Sequence, residues 1–205
     1  MYNPQNNIEN FVFDEIKYCV KCSADMKYEI PEDGDNHERY VCTKCKHVNY
    51  QNPKIVVGTI SIYSSHTHNA KVLLCKRGIE PRYGYWTLPA GFMENGETTF
   101  NGAWRETFEE ATAKPNLERL FSVINIPRIG QVHMFYLASF DGIYKSGEES
   151  LETNLFDLNE IPWDKLAFPS VEVTLKSYIE YIKSDNKQNI ILPYHHTVSN
   201  MPKDK

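Results

Sequence analysis

The chain has 205 residues, which is enough for one medium-sized domain and a small one, and 41% of them are hydrophobic, so a real core can form. The net charge of −5 gives no general attraction to nucleic acid or to anionic membranes, and no apolar run approaches the roughly 20 residues that span a bilayer. With an odd count of five cysteines and no secretory signal at the N-terminus, the sequence predicts a protein of the reducing cytoplasm.

Four of the cysteines form two close pairs near the N-terminus. Cys19, Cys22, Cys42 and Cys45 follow the spacing C-x2-C-x19-C-x2-C, which is typical of a zinc site. Each pair directs two thiolates at one ion, and four sulfurs complete a tetrahedral shell without a position for water or substrate. The spacing therefore predicts a structural zinc ion in a small domain at residues 1–52.

Three other interpretations of these cysteines are weaker. Disulfides are rare in a reducing compartment, and a redox C-x-x-C is not expected in duplicate outside a thioredoxin-like setting. Nucleic-acid binding is disfavoured because residues 1–52 carry six Lys and Arg against nine Asp and Glu. His47 is interpreted as an exposed histidine, since four cysteines already satisfy the metal.

After Asn52-Pro53 the pattern changes to one that is typical of strands. The Val- and Ile-rich runs at 54–63 and 71–77 predict a hairpin, with Cys75 as a small core residue.

The next stretch, residues 77–90, carries cations and aromatic rings. Arg77 and Arg82 are candidates to bind a diphosphate, and Tyr83 to stack on a base. For Arg82 and Tyr83 a purely structural role is an equal alternative, whereas Trp86 is interpreted as core.

The stretch from Gly91 to Ala113 contains a loop and a predicted helix that is rich in glutamate. Thr98 is a candidate N-cap, and Lys114-Pro115 ends the helix. Three carboxylates, those of Glu106, Glu109 and Glu110, share one helix face and repel one another, an interaction that a divalent cation would reverse. The alternative is a solvated acidic helix face.

The remaining chain predicts more strands and a second helix. Apolar runs at 117–127 and 131–140 indicate two strands joined at Gly130. A final helix follows, with Ser170 as candidate cap and a stripe of core residues at helical spacing. The domain predicted at residues 53–183 ends there, and residues 184–205 are predicted to be a mobile C-terminal tail.

The spacing of the acidic segment is more specific than its charge. Gly91, Glu97, Arg105 and the three glutamates fit G-x5-E-x7-R-E-x2-E-E, the signature of the Nudix hydrolases. Together with the four cysteines and the runs NPKIVVG, PRYGYWTLPAGFMENGET and IPWDKLAFPS, the chain resembles Nudix hydrolases with an N-terminal zinc ribbon, which include FAD and ADP-ribose pyrophosphatases. Thr107, Thr112 and Ala113 depart from the family's aliphatic and glycine positions, which predicts weaker packing under the helix and a less regular helix end.

The resemblance implies an α/β fold, the Nudix α/β/α sandwich with a mixed sheet. It also implies a hydrolase that uses magnesium, or manganese, to split a nucleoside diphosphate derivative into two monophosphates. ADP-ribose or FAD is the preferred substrate, and NADH or a dinucleoside polyphosphate is an alternative. A nucleotide- or RNA-binding protein without catalysis is the alternative from another class. The expected partners are a small-molecule nucleotide and a second copy of the chain, without nucleic acid or membrane.

The resemblance also assigns roles to individual residues. The magnesium site comprises Glu106 and Glu110 as leading ligands, Glu109, the backbone carbonyl near Ala90, and Glu97, which holds the loop to the helix. The catalytic residues are Glu109, Arg105, which orients the glutamates, and Glu149 or Glu152 as the general base. Arg77, Arg82 and Tyr83 are the substrate-binding candidates.

Overall fold

The computed structural model describes residues 15–32, 34–64, 70–184 and 192–198. It divides the chain into two compact units, Met1–Pro53 and Lys54–Lys205. Residues 1–14 of the predicted N-terminal domain, and residues 185–191 and 199–205 of the predicted tail, lie outside the described residues. Neither of the two α-helices in the described part of the chain is long and apolar enough to cross a membrane.

The first unit contains a small antiparallel sheet. Its strands are β1 (Met26–Glu29), β2 (Arg39–Cys42) and β3 (Val48–Asn49), in the order β1-β2-β3. Its buried hydrophobic residues among those described are Cys19, Val41 and Cys42. Two of these three are predicted zinc ligands, so the unit has little apolar core apart from its cysteine cluster.

The second unit is organised around a mixed sheet. The described strands are β4 (Lys54–Tyr63), β5 (Lys71–Arg77), β6 (Trp86–Thr87), β7 (Ala90–Phe92), β8 (Asn116–Ile126), β9 (Gln131–Phe140), β10 (Ser150–Asp157) and β11 (Tyr194–Thr197). The sheet has the order β10-β5-β4-β9-β8-β11, with β6 paired to β5 and β7 to β4. Strands β4 and β9 are parallel, as are β8 and β11, and the other pairs are antiparallel.

Two helices, α1 (Thr99–Ala111) and α2 (Pro169–Lys183), cover the two faces of this sheet. Successive residues of β4 show this, because side chains alternate between faces along a strand. Thr59 contacts Thr107 of α1, with 2.7 Å between the hydroxyl oxygens, whereas Ile60 belongs to a core cluster that contains Leu175 of α2. The predicted α/β/α sandwich is confirmed.

The structure shows how α1 accommodates two of the residues that depart from the family pattern, Thr107 and Thr112. Thr98 is the N-cap, as predicted, and its hydroxyl accepts a hydrogen bond from the Asn101 N–H at 3.1 Å. Thr112 adopts the left-handed conformation, with a φ of 52°, that glycine favours at a helix end, and its N–H bonds to the Phe108 carbonyl. Thr107 is fully buried and hydrogen-bonded, so it replaces apolar packing with a polar contact to β4.

The predicted hairpin of β4 and β5 is confirmed, and its antiparallel pairs are Ile62 with Val72 and Tyr63 with Lys71, whereas residues 56–58 of β4 pair with β7. Two other predictions of local structure need correction. Ser170 is not the cap of α2: Phe168 occupies that position and Pro169 begins the helix. The predicted mobile tail contains strand β11, whose parallel pairing with β8 gives residues 194–197 a fixed place in the sheet.

Candidate active site

A cavity of about 820 Å³ opens in the second unit beside α1. Carboxylates and arginines form one part of its wall: Arg77, Arg105, Glu106, Glu109, Glu110, Glu148 and Glu149. The backbone at Ala90 and Gly91 also lines it. The structure therefore brings the predicted magnesium residues of α1 and β7 to one cavity. Glu97, in the loop before α1, does not line the cavity and bonds to Arg105.

Arg105 organises the acidic residues around this wall. Its Nη1 donates to Glu106 Oε1 at 2.7 Å and to Glu109 Oε2 at 2.8 Å. Nη2 and Nε donate to the two carboxylate oxygens of Glu97, at 2.8 and 3.1 Å, and Nη2 also reaches the Phe92 carbonyl. These hydrogen bonds lower the pKa of Glu97, raise the pKa of Arg105 and tie the loop before α1 to the helix.

Glu110 is held in a different environment. The residue is buried, and Oε2 has no hydrogen-bond partner among the described residues. Burial raises the pKa of Glu110 to about 8, and the neighbouring Glu106 carboxylate contributes to the rise. Burial also raises the pKa of Glu106. A buried carboxylate oxygen without a partner is costly unless a proton or a cation binds it.

Gly91 allows the Glu106 carboxylate to approach the backbone of β7. A Cβ at this position would lie 2.3 Å from Glu106 Oε2, so a larger residue would displace the Glu106 carboxylate. The first residue of the signature thus allows the Glu106 carboxylate to lie beside the Ala90–Gly91 backbone.

The segment 145–149 brings a further acidic residue to the cavity by docking on the end of α1. The N–H groups of Lys145 and Gly147 donate to the carbonyls of Ala111 and Glu110, at 2.8 and 2.9 Å. A Cβ on Gly147 would lie 1.7 Å from the Glu109 carbonyl, so only glycine fits there. This docking satisfies carbonyls that a helix end leaves unpaired.

The two candidates for the general base lie in different places. The Glu149 carbonyl accepts a hydrogen bond from the Gly78 N–H at 2.7 Å, and Glu149 lines the cavity. Glu152 does not line it: this residue lies in β10 opposite Lys76, with 3.5 Å between Oε2 and the Lys76 ammonium. Only Glu149 therefore lies at the cavity, whereas the sequence alone makes both residues equal candidates for the general base.

The three substrate-binding candidates also differ in whether they line the cavity. Arg77 lines the cavity, its Nε donates to the Pro81 carbonyl at 2.8 Å, and burial lowers its pKa. Arg82 points elsewhere, with Nε bonded to the Ala167 carbonyl at 3.2 Å. Tyr83 is exposed and is not part of the cavity wall. Of the three, the structure brings only Arg77 to the glutamates.

A second part of the cavity wall, which carries no glutamate from α1, was not predicted from the sequence. Its residues are Val56, Phe92, Ile129, Gln131, His133 and Phe168. Gln131 and His133 lie two residues apart on β9, so they share one face of the strand. Two polar residues on the same face of a strand are a pattern in the sequence that could have indicated this part of the wall.

The four predicted zinc ligands also meet, within the first unit. Their sulfur atoms all lie within 4.8 Å of one another, and the closest pairs are separated by 3.4 to 3.7 Å. A disulfide requires about 2.05 Å, so these cysteines are not bonded to one another. The backbone N–H of Cys45 lowers the pKa of Cys42 to about 6, which favours a thiolate.

Comparison with known families agrees with this geometry. The NUDIX domain profile matches residues 52–176, more than half of the chain, and the profile of the Nudix N-terminal zinc ribbon matches residues 17–51. The chain belongs to the Nudix hydrolase family, in the group with an N-terminal zinc ribbon, and the predicted class of enzyme is confirmed.

Individual relatives give the same picture. An ADP-ribose pyrophosphatase from Methanocaldococcus jannaschii is 36% identical over 116 residues, which are 54% of this chain and 67% of that protein. The NAD-capped RNA hydrolase NudC of Haemophilus influenzae is 26% identical over 73% of this chain, which spans about half (52%) of that protein. A crystal structure of a NUDIX hydrolase from Nitrosomonas europaea is 42% identical, with a TM-score of 0.78 over 89% of this chain and 99% of that one.

Proposed function

We propose that this Nudix hydrolase is a magnesium-dependent pyrophosphatase that splits ADP-ribose or FAD into two monophosphates. The observation that carries the proposal is the buried Glu110 oxygen without a partner, beside Glu106 in a cavity large enough for a nucleotide. The 36% identity to an ADP-ribose pyrophosphatase supports the substrate class.

The residues of the acidic wall fit a hard divalent cation. Magnesium prefers carboxylate and carbonyl oxygens and retains waters and substrate phosphates. Glu106 and Glu110 would hold it, with Glu109 and the Ala90 carbonyl as further ligands, and Arg105 keeps the carboxylates in place. When bound, the cation supplies charge neutralisation of the diphosphate and a lower pKa for water.

The remaining residues supply binding and proton transfer. The Arg77 guanidinium would bind a diphosphate oxygen, because it lines the cavity and carries a permanent charge. Glu149 would accept the proton of the attacking water as one P–O bond forms and the bond to the bridging oxygen breaks. The bridging oxygen leaves with the second monophosphate, and the proton passes to solvent.

For the cysteine cluster we propose a structural zinc ion. Tetrahedral zinc with Zn–S bonds of about 2.3 Å requires sulfur atoms about 3.8 Å apart. The closest sulfur pairs, at 3.4 to 3.7 Å, come near this value without an ion. Since all four ligands come from the chain, the ion would stabilise the first unit and take no part in hydrolysis.

A substrate panel tests the proposal. The full chain is incubated with magnesium and ADP-ribose, FAD, NADH, a dinucleoside tetraphosphate or NAD-capped RNA, and products are identified by mass. The expected result is AMP with ribose 5-phosphate from ADP-ribose, or AMP with FMN from FAD. The last three substrates test the alternatives, and the similarity to NudC is the reason to include NAD-capped RNA. No hydrolysis of any substrate would favour the nucleotide-binding alternative.

Two further parts of the proposal concern the protein's state in the cell. We expect a homodimer, on the resemblance to the family, and sedimentation of the purified chain tests it. We expect the protein in the cytoplasm, which fractionation of cells of the native host tests.

A further inference from the structure

Three hydrogen-bonded side chains on β9 and α2 have no role in the proposed hydrolysis, and two of them, Gln131 and His133, line the cavity. Gln131 Oε1 lies 2.9 Å from His133 Nε2, and His133 Nδ1 lies 3.0 Å from Ser170 Oγ. His133 and Ser170 are buried, whereas Gln131 is only half-buried and lines the cavity. The chain of contacts therefore runs from the interior of the protein to the cavity.

One arrangement of the protons on these three side chains gives both the Ser170 hydroxyl and the His133 ring N–H an acceptor. Burial lowers the pKa of His133 to about 4, so the ring is neutral and carries one N–H. The Ser170 hydroxyl has no other acceptor in the part of the chain that the structure describes, so it donates to Nδ1. The ring proton then lies on Nε2 and is donated to Gln131 Oε1. This orients the Gln131 carboxamide and leaves its NH2 group without a partner among the described residues.

The cavity wall next to Gln131 and His133 is partly aromatic. Val56 is the register partner of His133 and Phe92 is that of Val56, whereas Gln131 itself is paired with Lys54, whose ammonium lies 5.5 Å from the Phe92 ring centroid. Phe168, at the start of α2, also lines the cavity. Such walls suit a flat ring. An oriented amide donor beside them suits a ring that carries acceptor atoms on its edge, as purines and flavins do.

We propose that Gln131 determines base specificity, by donating a hydrogen bond from its amide nitrogen to an acceptor atom on the heteroaromatic ring of the substrate. His133 and Ser170 are positioning residues that hold the carboxamide in this orientation. The inference deepens the proposed function, because it assigns the half of the substrate that the glutamates and Arg77 do not contact.

Equilibrium binding of single products tests this without turnover. The full chain is titrated in a calorimeter with AMP against ribose 5-phosphate, and with FMN against ribitol 5-phosphate. We expect wild type to bind at least one base-containing product more than about tenfold tighter than its partner without the ring. Gln131→Leu should remove about tenfold of this preference and leave binding of the sugar phosphates unchanged.

Gln131→Glu is the matched variant, because it keeps an acceptor for His133 and replaces the amide donor by a carboxylate oxygen. Its negative charge weakens binding of all phosphate products alike, so the readout is the ratio of affinities with and without the ring, which should fall as in Gln131→Leu. Equal losses for products with and without a ring, or no loss, would overturn the inference, and so would a wild type without any preference for the ring. Failure of the hydrolysis panel would refute the proposed function and leave this binding result standing.

The positioning roles have their own readout. Imidazole ¹⁵N resonances of wild type should show a neutral His133 ring protonated at Nε2. Ser170→Ala should shift this ring towards a mixture of tautomers and remove part of the ring preference. A role in packing alone would leave the tautomer unchanged, and that result would contradict the assignment of Ser170.

Discussion

Four cysteine sulfurs in the first unit lie within 4.8 Å of one another, whereas in the second unit Arg105 bonds to three carboxylates, those of Glu97, Glu106 and Glu109. The sulfurs lie close enough to share one ion, and Cys19 and Cys42 are buried. The carboxylates of Glu106 and Glu110 line a cavity, and one oxygen of Glu110 remains without a partner among the described residues.

The two clusters are suited to different roles. An ion bound by the four sulfurs would replace a hydrophobic core in a unit with few buried apolar residues. The open acidic wall, held in place by Arg105, would accept a cation together with the phosphates of a substrate. The predictions below test whether one cluster is structural and the other catalytic.

Removal of a cysteine ligand should have the largest effect, because a structural zinc ion contributes on the order of 10 kcal/mol to folding. Cys42→Ser should lose one equivalent of zinc and the amide dispersion of residues 17–51, measured by elemental analysis and NMR. Cys75→Ala is the control, since this buried thiol lies in the second unit. Full zinc occupancy in Cys42→Ser would contradict the four-cysteine site.

Removal of the buried carboxylate should affect turnover next most strongly. Glu110→Gln keeps the shape of the side chain and removes its charge, so hydrolysis of ADP-ribose with magnesium should fall about a thousandfold or more. The far-ultraviolet circular dichroism should remain that of wild type. Rates near wild type would refute the assignment of Glu110 as a metal ligand.

The choice of general base gives a smaller effect and a direct comparison. Glu149→Gln should reduce kcat by about 10²- to 10⁴-fold, because a positioned base contributes that much. Glu152→Gln is the matched variant in the same segment, paired with Lys76 outside the cavity, and should stay within about twofold of wild type. The reverse result would require the segment 147–152 to rearrange when substrate binds.

The sequence predicted most of the acidic site because the signature fixes residues on one loop and one helix. The spacing of Glu106 and Glu110 places both carboxylates on one face of α1, and periodicity alone carries that information. The different positions of Glu149 and Glu152 were not predictable, because they depend on two backbone contacts. Gly78, after β5, donates to the Glu149 carbonyl, and Gly147 donates to the Glu110 carbonyl of α1. Such contacts join residues far apart in sequence.

Contacts between residues far apart in sequence also explain the errors in the predicted fold. Ser170 has the chemistry of a helix cap, but Pro169 before it is suited to the first position of a helix, and the serine hydroxyl bonds to His133 on a distant strand. Residues 194–197 have a polar and histidine-rich composition, yet β8 offers them a free edge with which to pair. In both places tertiary contacts override a local preference.

The smallest effect concerns stability without magnesium. Because the pKa of Glu110 is raised to about 8, its contribution to the free energy of unfolding is fully present below its ordinary value near 4.5 and is lost as pH rises through 8. Glu106 acts in the same direction. The zinc-loaded protein should therefore lose a few kcal/mol between about pH 5 and pH 9 without magnesium. Saturating magnesium should restore it, because the ion binds the charged carboxylates.

Urea denaturation followed by tryptophan fluorescence measures this in the second unit alone, since Trp86, Trp104 and Trp163 are the three tryptophans of the chain. Glu110→Gln cannot ionise, so its stability should vary less with pH and exceed that of wild type at pH 9. Glu109→Gln is the control, because the Glu109 side chain is 55% exposed, and it should keep the dependence of wild type. If both variants behave alike, the pH dependence arises outside the buried carboxylate, and the difference between the closed cysteine cluster and the open acidic wall does not rest on Glu110.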